Sequence, residues 1–255
     1  RRQAIALYDR FTHEGMDRRL FMARMVALAG SAAAAEALIG AIAASPAAAA
    51  IVPPDDKRLT SRMAHTADGF EGYSAYISQP RSRSLKPTVL VIHENRGLND
   101  HIKDVARRLA LAGYRAVAID FLTGQGGTPA DEDRARELIG KLDLSKVTGD
   151  AARIVRLLAA GSRGGKVGAV GFCWGGAFVN RLAVAAGDAL DAGVVYYGPA
   201  PDPSEAVRVQ APLMIHHAGR DARVAQTLWP WISALRAAGK RVTYFNYEGA
   251  DHAFN

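Results

Sequence analysis

The chain has 255 residues, enough for one α/β domain with a full core and short for two. Hydrophobic residues make up 49% and charged residues 22%, which excludes a disordered, collagen-like or coiled-coil chain. The net charge of +7 is spread without any run of five or six like charges, so no nucleic-acid partner is expected, and one cysteine excludes an internal disulfide or a cysteine-rich zinc site.

Composition shifts near Ile51, dividing the chain into residues 1–50 and 51–255. In the first part Arg18 and Arg19 precede Leu20, Phe21 and Met22, an alanine-rich apolar stretch follows, and Ser45, Pro46 and small residues lead to Ala50. That order resembles a twin-arginine export signal, which would make the protein periplasmic; Glu36, inside the apolar stretch, departs from the pattern. A second reading, compatible with a cytoplasmic protein, is a pair of packed helices. Leu20, Phe21, Arg24, Met25 and Leu28 fall on one helical face, Gly30 suits a terminator and Ser31 a cap. The stretch is only weakly apolar, so no stable membrane span is expected. The chain opens on Arg1 rather than Met and stops at Asn255, and both ends are expected to be cut.

From about Arg58 strands and helices alternate. Val89-Leu90-Val91-Ile92-His93 reads as a strand buried on both faces. A helix is predicted over 99–112, with Ile102, Val105, Leu109 and Ala112 along one side and Gly113 as its terminator. Then follow a strand at 114–119, helices at 133–141 and 145–160, a strand at 166–170 and a helix at 175–186. Strands at 193–197 and 213–217 flank a Pro-rich loop. A helix at 222–238, which Pro230 should bend or restart, precedes a last strand at 242–247. Such alternation implies a mostly parallel, doubly wound sheet with helices on both faces, whose sites lie at the carboxyl ends of the strands.

Gly171-Phe172-Cys173-Trp174-Gly175-Gly176 follows a strand and opens a helix, the setting of a nucleophile elbow with cysteine in place of serine. Gly171 and Gly175 remove side chains that would collide across so tight a turn. The helix N-terminus favours a thiolate and an anionic intermediate. A base and an acid to orient it are available after later strands: His252 in Gly249-Ala250-Asp251-His252, and Asp221 in Gly219-Arg220-Asp221-Ala222-Arg223-Val224. Nucleophile, acid, histidine is the chain order of the α/β-hydrolase triad. Asp251 and Glu248 are rival acids, but sit too close in sequence to His252 to reach its far nitrogen easily; His216 and His217 read as core or supporting residues. The loop His93-Glu94-Asn95-Arg96-Gly97 follows the early strand from which this fold draws an oxyanion donor, so the backbone N–H groups of Asn95 and Trp174 are the candidate pair. Glu94 would then sit near the thiol; the bland alternative is a surface ion pair with Arg96.

Together, His93-Glu94-Asn95-Arg96-Gly97-Leu98, Gly171–Gly176, Gly219–Val224 and Gly249–His252 resemble the dienelactone hydrolase family, as does the helix opening at Asn99; the likeness runs from about Arg58 to Asn255. The resemblance implies hydrolysis of a strained enol-lactone or related ester, with Cys173 as nucleophile, His252 as base and Asp221 as its orienter. It also implies that Glu94 holds the resting thiol and swings to activate it when substrate binds. Family members use arginines to hold a substrate carboxylate; Arg134, Arg136 and Arg96 are the candidates here. A further helix follows the catalytic histidine in the family, so a missing C-terminal helix is expected. No metal or organic cofactor is called for, since acyl transfer needs only the thiol, the imidazole and the two N–H groups. The competing readings are a non-catalytic scaffold on the same fold, which an intact triad disfavours, and a peroxide-sensing Cys173, which lacks a resolving cysteine.

Overall fold

The computed structural model describes residues 2–13, 16–43, 51–65, 70–81, 87–161 and 165–254. The run from Ser45 to Ala50, read above as a cleavage region, lies outside the described residues. Three helices come first: α1 (Arg2–His13), α2 (Arg18–Ala29) and α3 (Ala32–Ala43). They are followed by β1 (Leu59–Ala64), β2 (Ser74–Pro80), β3 (Thr88–Ile92), α4 (Asp100–Leu111), β4 (Arg115–Asp120), α5 (Glu132–Gly140) and α6 (Leu144–Gly161). Then come β5 (Val167–Phe172), α7 (Trp174–Ala186), β6 (Ala192–Tyr196), β7 (Leu213–Ala218), α8 (Ala222–Ala237) and β8 (Val242–Tyr247).

The strands form one eight-stranded sheet in the order β1-β2-β4-β3-β5-β6-β7-β8. β1 and β2 are antiparallel to their neighbours, and the strands from β3 to β8 run parallel. With helices on both faces, this is an α/β-hydrolase fold. Alternation along β3 divides the core: Leu90 and Ile92 face one layer with Val117, Ile119, Phe178 and Trp231, while Val91 faces the other with Ile102, Val105 and Phe172. Register then positions the loops. Ile92 lies opposite Gly171, so the chain leaves the sheet at His93 beside the turn at Cys173. Ala218 lies opposite Tyr247, which sets the loop of Asp221 beside that of His252.

The helix starts follow from short polar side chains. Asn99 accepts the Ile102 N–H at the head of α4, and Asp131 accepts the N–H groups of Asp133 and Arg134 at α5. Pro230 sits inside an unbroken α8 instead of restarting it. It lies on the exposed face, where water can take the Gln226 carbonyl that proline leaves without a donor. β1 and β2 are not foreseen above. Only the two ends of β1 are buried, so it has no period-two pattern, and four consecutive residues of β2 are buried.

The N-terminal helices have their own small core. Phe11 stacks on Phe21 at 4.1 Å between ring centroids, Tyr8 meets Phe21 edge-on, and Met25 and Ala35 complete it. Asp17 caps α2, Gly30 closes it at φ 86°, and Ser31 accepts the Ala34 N–H at the head of α3. The face expected for α2 is corrected: Phe21 and Met25 are buried but Leu20 and Leu28 are each 45% exposed. Phe21 and Met25 pack in the cluster with Phe11 and Ala35, whereas Leu28 lines the rim of a surface groove beside Leu7 and Arg10 and stays half open to water. No single helix among the described residues is long and apolar enough to cross a membrane; α2 and α3 meet that test only together, across a 102° bend.

At Val52 the chain is fastened to α4. The Val52 N–H donates to Asp104 Oδ1 at 2.9 Å, and its carbonyl accepts from Arg107 Nε at 2.6 Å. Both charged side chains are buried, Arg107 also donating to the Tyr76 hydroxyl at 3.2 Å.

Candidate active site

β5 delivers Cys173 into a backbone conformation of φ 52° and ψ −111°, a strained region for a residue with a side chain. The surroundings enforce it. A Cβ on Gly171 would lie 2.1 Å from the Gly175 carbonyl oxygen, and one on Gly175 would lie 2.3 Å from that of Ile92. Only glycine lets the elbow close against β3. The Cys173 N–H is held by the Tyr196 carbonyl at 3.0 Å, and the side chain stands at the N-terminus of α7. Burial pushes the thiol well above its usual range, and the charge of Glu94 pushes it further; the Trp174 N–H and the charges of Arg223 and Arg96 pull the other way.

His252 is buried, with Nδ1 against Asp221 Oδ2. Asp221 also caps α8, its Oδ1 accepting the Val224 N–H at 3.0 Å. Burial alone would raise this carboxyl, yet the donors on His252 and Val224 and the nearby Arg223 hold it below the usual range. An ionised Asp221 makes His252 Nδ1 the protonated nitrogen of the neutral ring. Of the rival acids, Asp251 is exposed and lies 3.6 Å from Arg220. His216 meets the Tyr247 hydroxyl at 2.9 Å and stacks on Tyr196 and Phe245, whereas His217 packs edge-on against Trp229. Burial lowers the basicity of both.

The loop after β3 is fixed by His93, which is fully buried and stacked on Trp174 at 5.3 Å. Its Nδ1 lies 2.6 Å from the Glu94 carbonyl and its Nε2 accepts the Phe121 N–H at 3.4 Å. A neutral ring protonated on Nδ1 satisfies both, and burial lowers its basicity accordingly. Glu94 is 8% exposed and faces the Tyr197 hydroxyl at 3.5 Å. Tyr197 is buried at φ 38° and sets its ring against His252 at 5.1 Å. The alternative of a Glu94–Arg96 pair on the surface is corrected, because neither side chain is on the surface: Arg96 is 11% exposed and lies 3.4 Å from Glu132.

A cleft of about 290 Å³ opens beside the thiol, lined by Asn95, Cys173, Trp174, Phe178, Arg181 and Arg223 among others. Arg134 and Arg136 are not brought to it. Arg134 pairs with Glu137 on the exposed side of α5, and Arg136 bonds Asp133 and the Phe11 carbonyl. Their helix turns them toward solvent and toward α1 instead. Arg181, Arg223 and Tyr197 escaped the sequence reading. Arg223 stands two residues after Asp221 in a motif already singled out, and Tyr197 directly follows β6; for Arg181, one of several polar positions on α7, the sequence offers no distinguishing signal. Among the described residues no group of three or more His, Cys, Asp or Glu side chains is arranged to hold a metal ion.

Comparison with known proteins adds the following. Residues 73–255 match the model of the dienelactone hydrolase family. A protein of Methylorubrum extorquens is 32% identical over 197 residues, covering 71% of this chain and 67% of its own, and one of Escherichia coli K12 is 32% identical over 220 residues, covering 79% and 80%; each bears the name "Putative carboxymethylenebutenolidase". The crystal structure titled "Putative Dienelactone Hydrolase" from Klebsiella pneumoniae superposes with a TM-score of 0.67 at 28% identity, covering 77% of this chain and 88% of its own.

Proposed function

Because the chain belongs to the dienelactone hydrolase family and is a hydrolase of that type, we propose that it cleaves carboxylic esters or enol-lactones through an acyl-enzyme on Cys173. The observation that carries this reading is the strained elbow at Cys173, held by glycines that admit no side chain and packed with Tyr197, whose ring also lies against His252 of the His252–Asp221 pair.

In this reading the resting enzyme keeps Cys173 as the neutral thiol, because burial and Glu94 oppose a second negative charge. A substrate that brings its own anionic group draws on Arg223 and Arg181 at the cleft and displaces Glu94 toward the sulfur. Glu94 takes the thiol proton. The thiolate attacks the acyl carbon, a C–S bond forms, and the negative charge passing to the carbonyl oxygen is received by the Asn95 and Trp174 backbone N–H groups. The C–O bond breaks and the leaving oxygen takes the proton from Glu94. A water then gives its proton to His252 Nε2 as it attacks the thioester. The C–S bond breaks, the acid departs, and imidazolium returns the proton to sulfur. Asp221 keeps the imidazole in the tautomer this step needs and stabilises the imidazolium.

Hydrolysis of aryl esters and enol-lactones by wild type, Cys173→Ala and His252→Ala tests the assignment. Each variant is expected to lose turnover almost completely while remaining folded, since members of a catalytic unit fail together. Retained turnover in either variant overturns it, and folded wild type inert on the whole panel favours the scaffold reading.

A further inference from the structure

The N-terminal helices lie outside residues 73–255, yet α1 touches the loop after β3. The Tyr8 ring of α1 lies under the Arg96 guanidinium, 5.3 Å from centroid to carbon, and the Tyr8 hydroxyl donates to Glu132 Oε2 at 3.0 Å. The same Glu132 oxygen lies 3.4 Å from Arg96 Nε. Tyr8 is 7% exposed and the Arg96 side chain 11%, while Glu132 is one-third open to water, so ring, guanidinium and carboxylate form one part-buried contact among α1, α5 and the loop after β3. Arg96 directly follows Asn95 and is two residues from Glu94.

We infer that Tyr8 is a positioning residue of the active site: it seats Arg96, together with Glu132, and so fixes the segment carrying Glu94 and the Asn95 amide. A guanidinium over an aromatic face and an ion pair to one carboxylate leave Arg96 little rotational freedom. Its backbone neighbours inherit that order. Its charge also reaches Cys173, where it favours the thiolate. Tyr8 remains a donor throughout the working range, since burial first, and Glu132 next among the groups that act upward, push it up to about 12 against the opposing pull of Arg96. α1 is pinned to α5 at a second place, where Arg136 bonds the Phe11 carbonyl at 2.9 Å and lies over the Phe11 ring at 4.5 Å, so Tyr8 is carried by a docked helix.

The test is a double-mutant cycle in the full chain. Tyr8→Leu removes ring and hydroxyl, Tyr8→Phe keeps the ring, and each is made with Arg96 and with Arg96→Gln. Cys173 is the chain's one cysteine, so iodoacetamide alkylation at fixed pH reports on this site whether or not the thiol is the nucleophile. Tyr8→Leu is expected to slow alkylation about threefold to tenfold and to lower kcat by a similar factor with KM little changed; Tyr8→Phe should restore most of both, and neither change should have further effect beside Arg96→Gln. Equal losses in both backgrounds, or a lowered melting temperature with kcat and alkylation unchanged, overturn the inference. The kcat arm rests on the proposed function and the alkylation arm does not. Loss of the triad assignment with Tyr8-dependent alkylation intact would therefore discard that reading alone.

Discussion

Two regions of this chain reach order by opposite means. The elbow around Cys173 is set by exclusion: carbonyl oxygens stand 2.1 to 2.3 Å from where a Cβ would be at Gly171 and Gly175, so the backbone has one arrangement and no slack. The helices before Ile51 are set by addition. A stacked Phe11–Phe21 pair, a buried Met25, caps at Asp17 and Ser31, and a few contacts to α5 each contribute a modest amount. Damage in the first region should be nearly all-or-none, whereas in the second it should be graded and local. A turn that must hold a strained cysteine draws on the first kind of order. A segment that only has to keep one arginine in place can work with the second.

The sharpest way to break the comparison is Gly175→Ala. The added methyl meets backbone, which cannot step aside, so a cost of about 4 kcal/mol in denaturant unfolding is expected, together with loss of turnover. Near-wild-type stability would mean that the elbow has room after all.

Next comes Glu94→Gln, which leaves the shape and removes the charge. Turnover should fall on the order of 100-fold with the lost proton acceptor. The alkylation profile of Cys173 should move to lower pH, because one of the two influences raising the thiol is gone. The sign for stability follows. A thiol raised in the fold contributes fully below its unfolded value of about 8.5 and loses that contribution as pH climbs from there toward the folded value. Wild type should therefore weaken more steeply than Glu94→Gln above about pH 8.5 in thermal melts. Parallel alkaline limbs would remove Glu94 from the thiol's surroundings.

The smallest effect lies in the helices. Asp17→Ala deletes the cap that receives the Arg19 and Leu20 N–H groups, at a cost of about 1 kcal/mol. Faster hydrogen exchange should appear in α2 while the amides of β3 and β5 keep their protection. Spread of the change into the sheet would mean that the two regions unfold as one.

The same contrast explains what the sequence made legible. The strands from β3 to β8 and the helices between them carry continuous apolar runs or a helical period, and they stand within a residue or two of expectation. The candidates Cys173, Asp221, His252 and Glu94 each sit in a glycine-containing segment just after a strand. What stayed hidden depends on neighbours remote in sequence. The exposed middle of β1 gives no alternation. α1 shows no start or stop signal that sets it apart. Arg134 and Arg136 look like ligands until α5 is seen to turn them toward Glu137 and Phe11. Tyr197, which lies against both Glu94 and His252, is silent in a strand pattern because its role comes from a positive φ that no motif encodes.

The fastening at Val52 has a mechanical consequence. Its N–H and carbonyl are gripped at once by Asp104 and Arg107, two buried ions on one helix. A displacement of the backbone at Val52 has to break both bonds at once, and α4 resists it before the strand pairing of β1, seven residues on, is stressed. Val52 is in that sense a mooring: movement of the segment between α3 and β1 is stopped at α4 before it reaches the sheet.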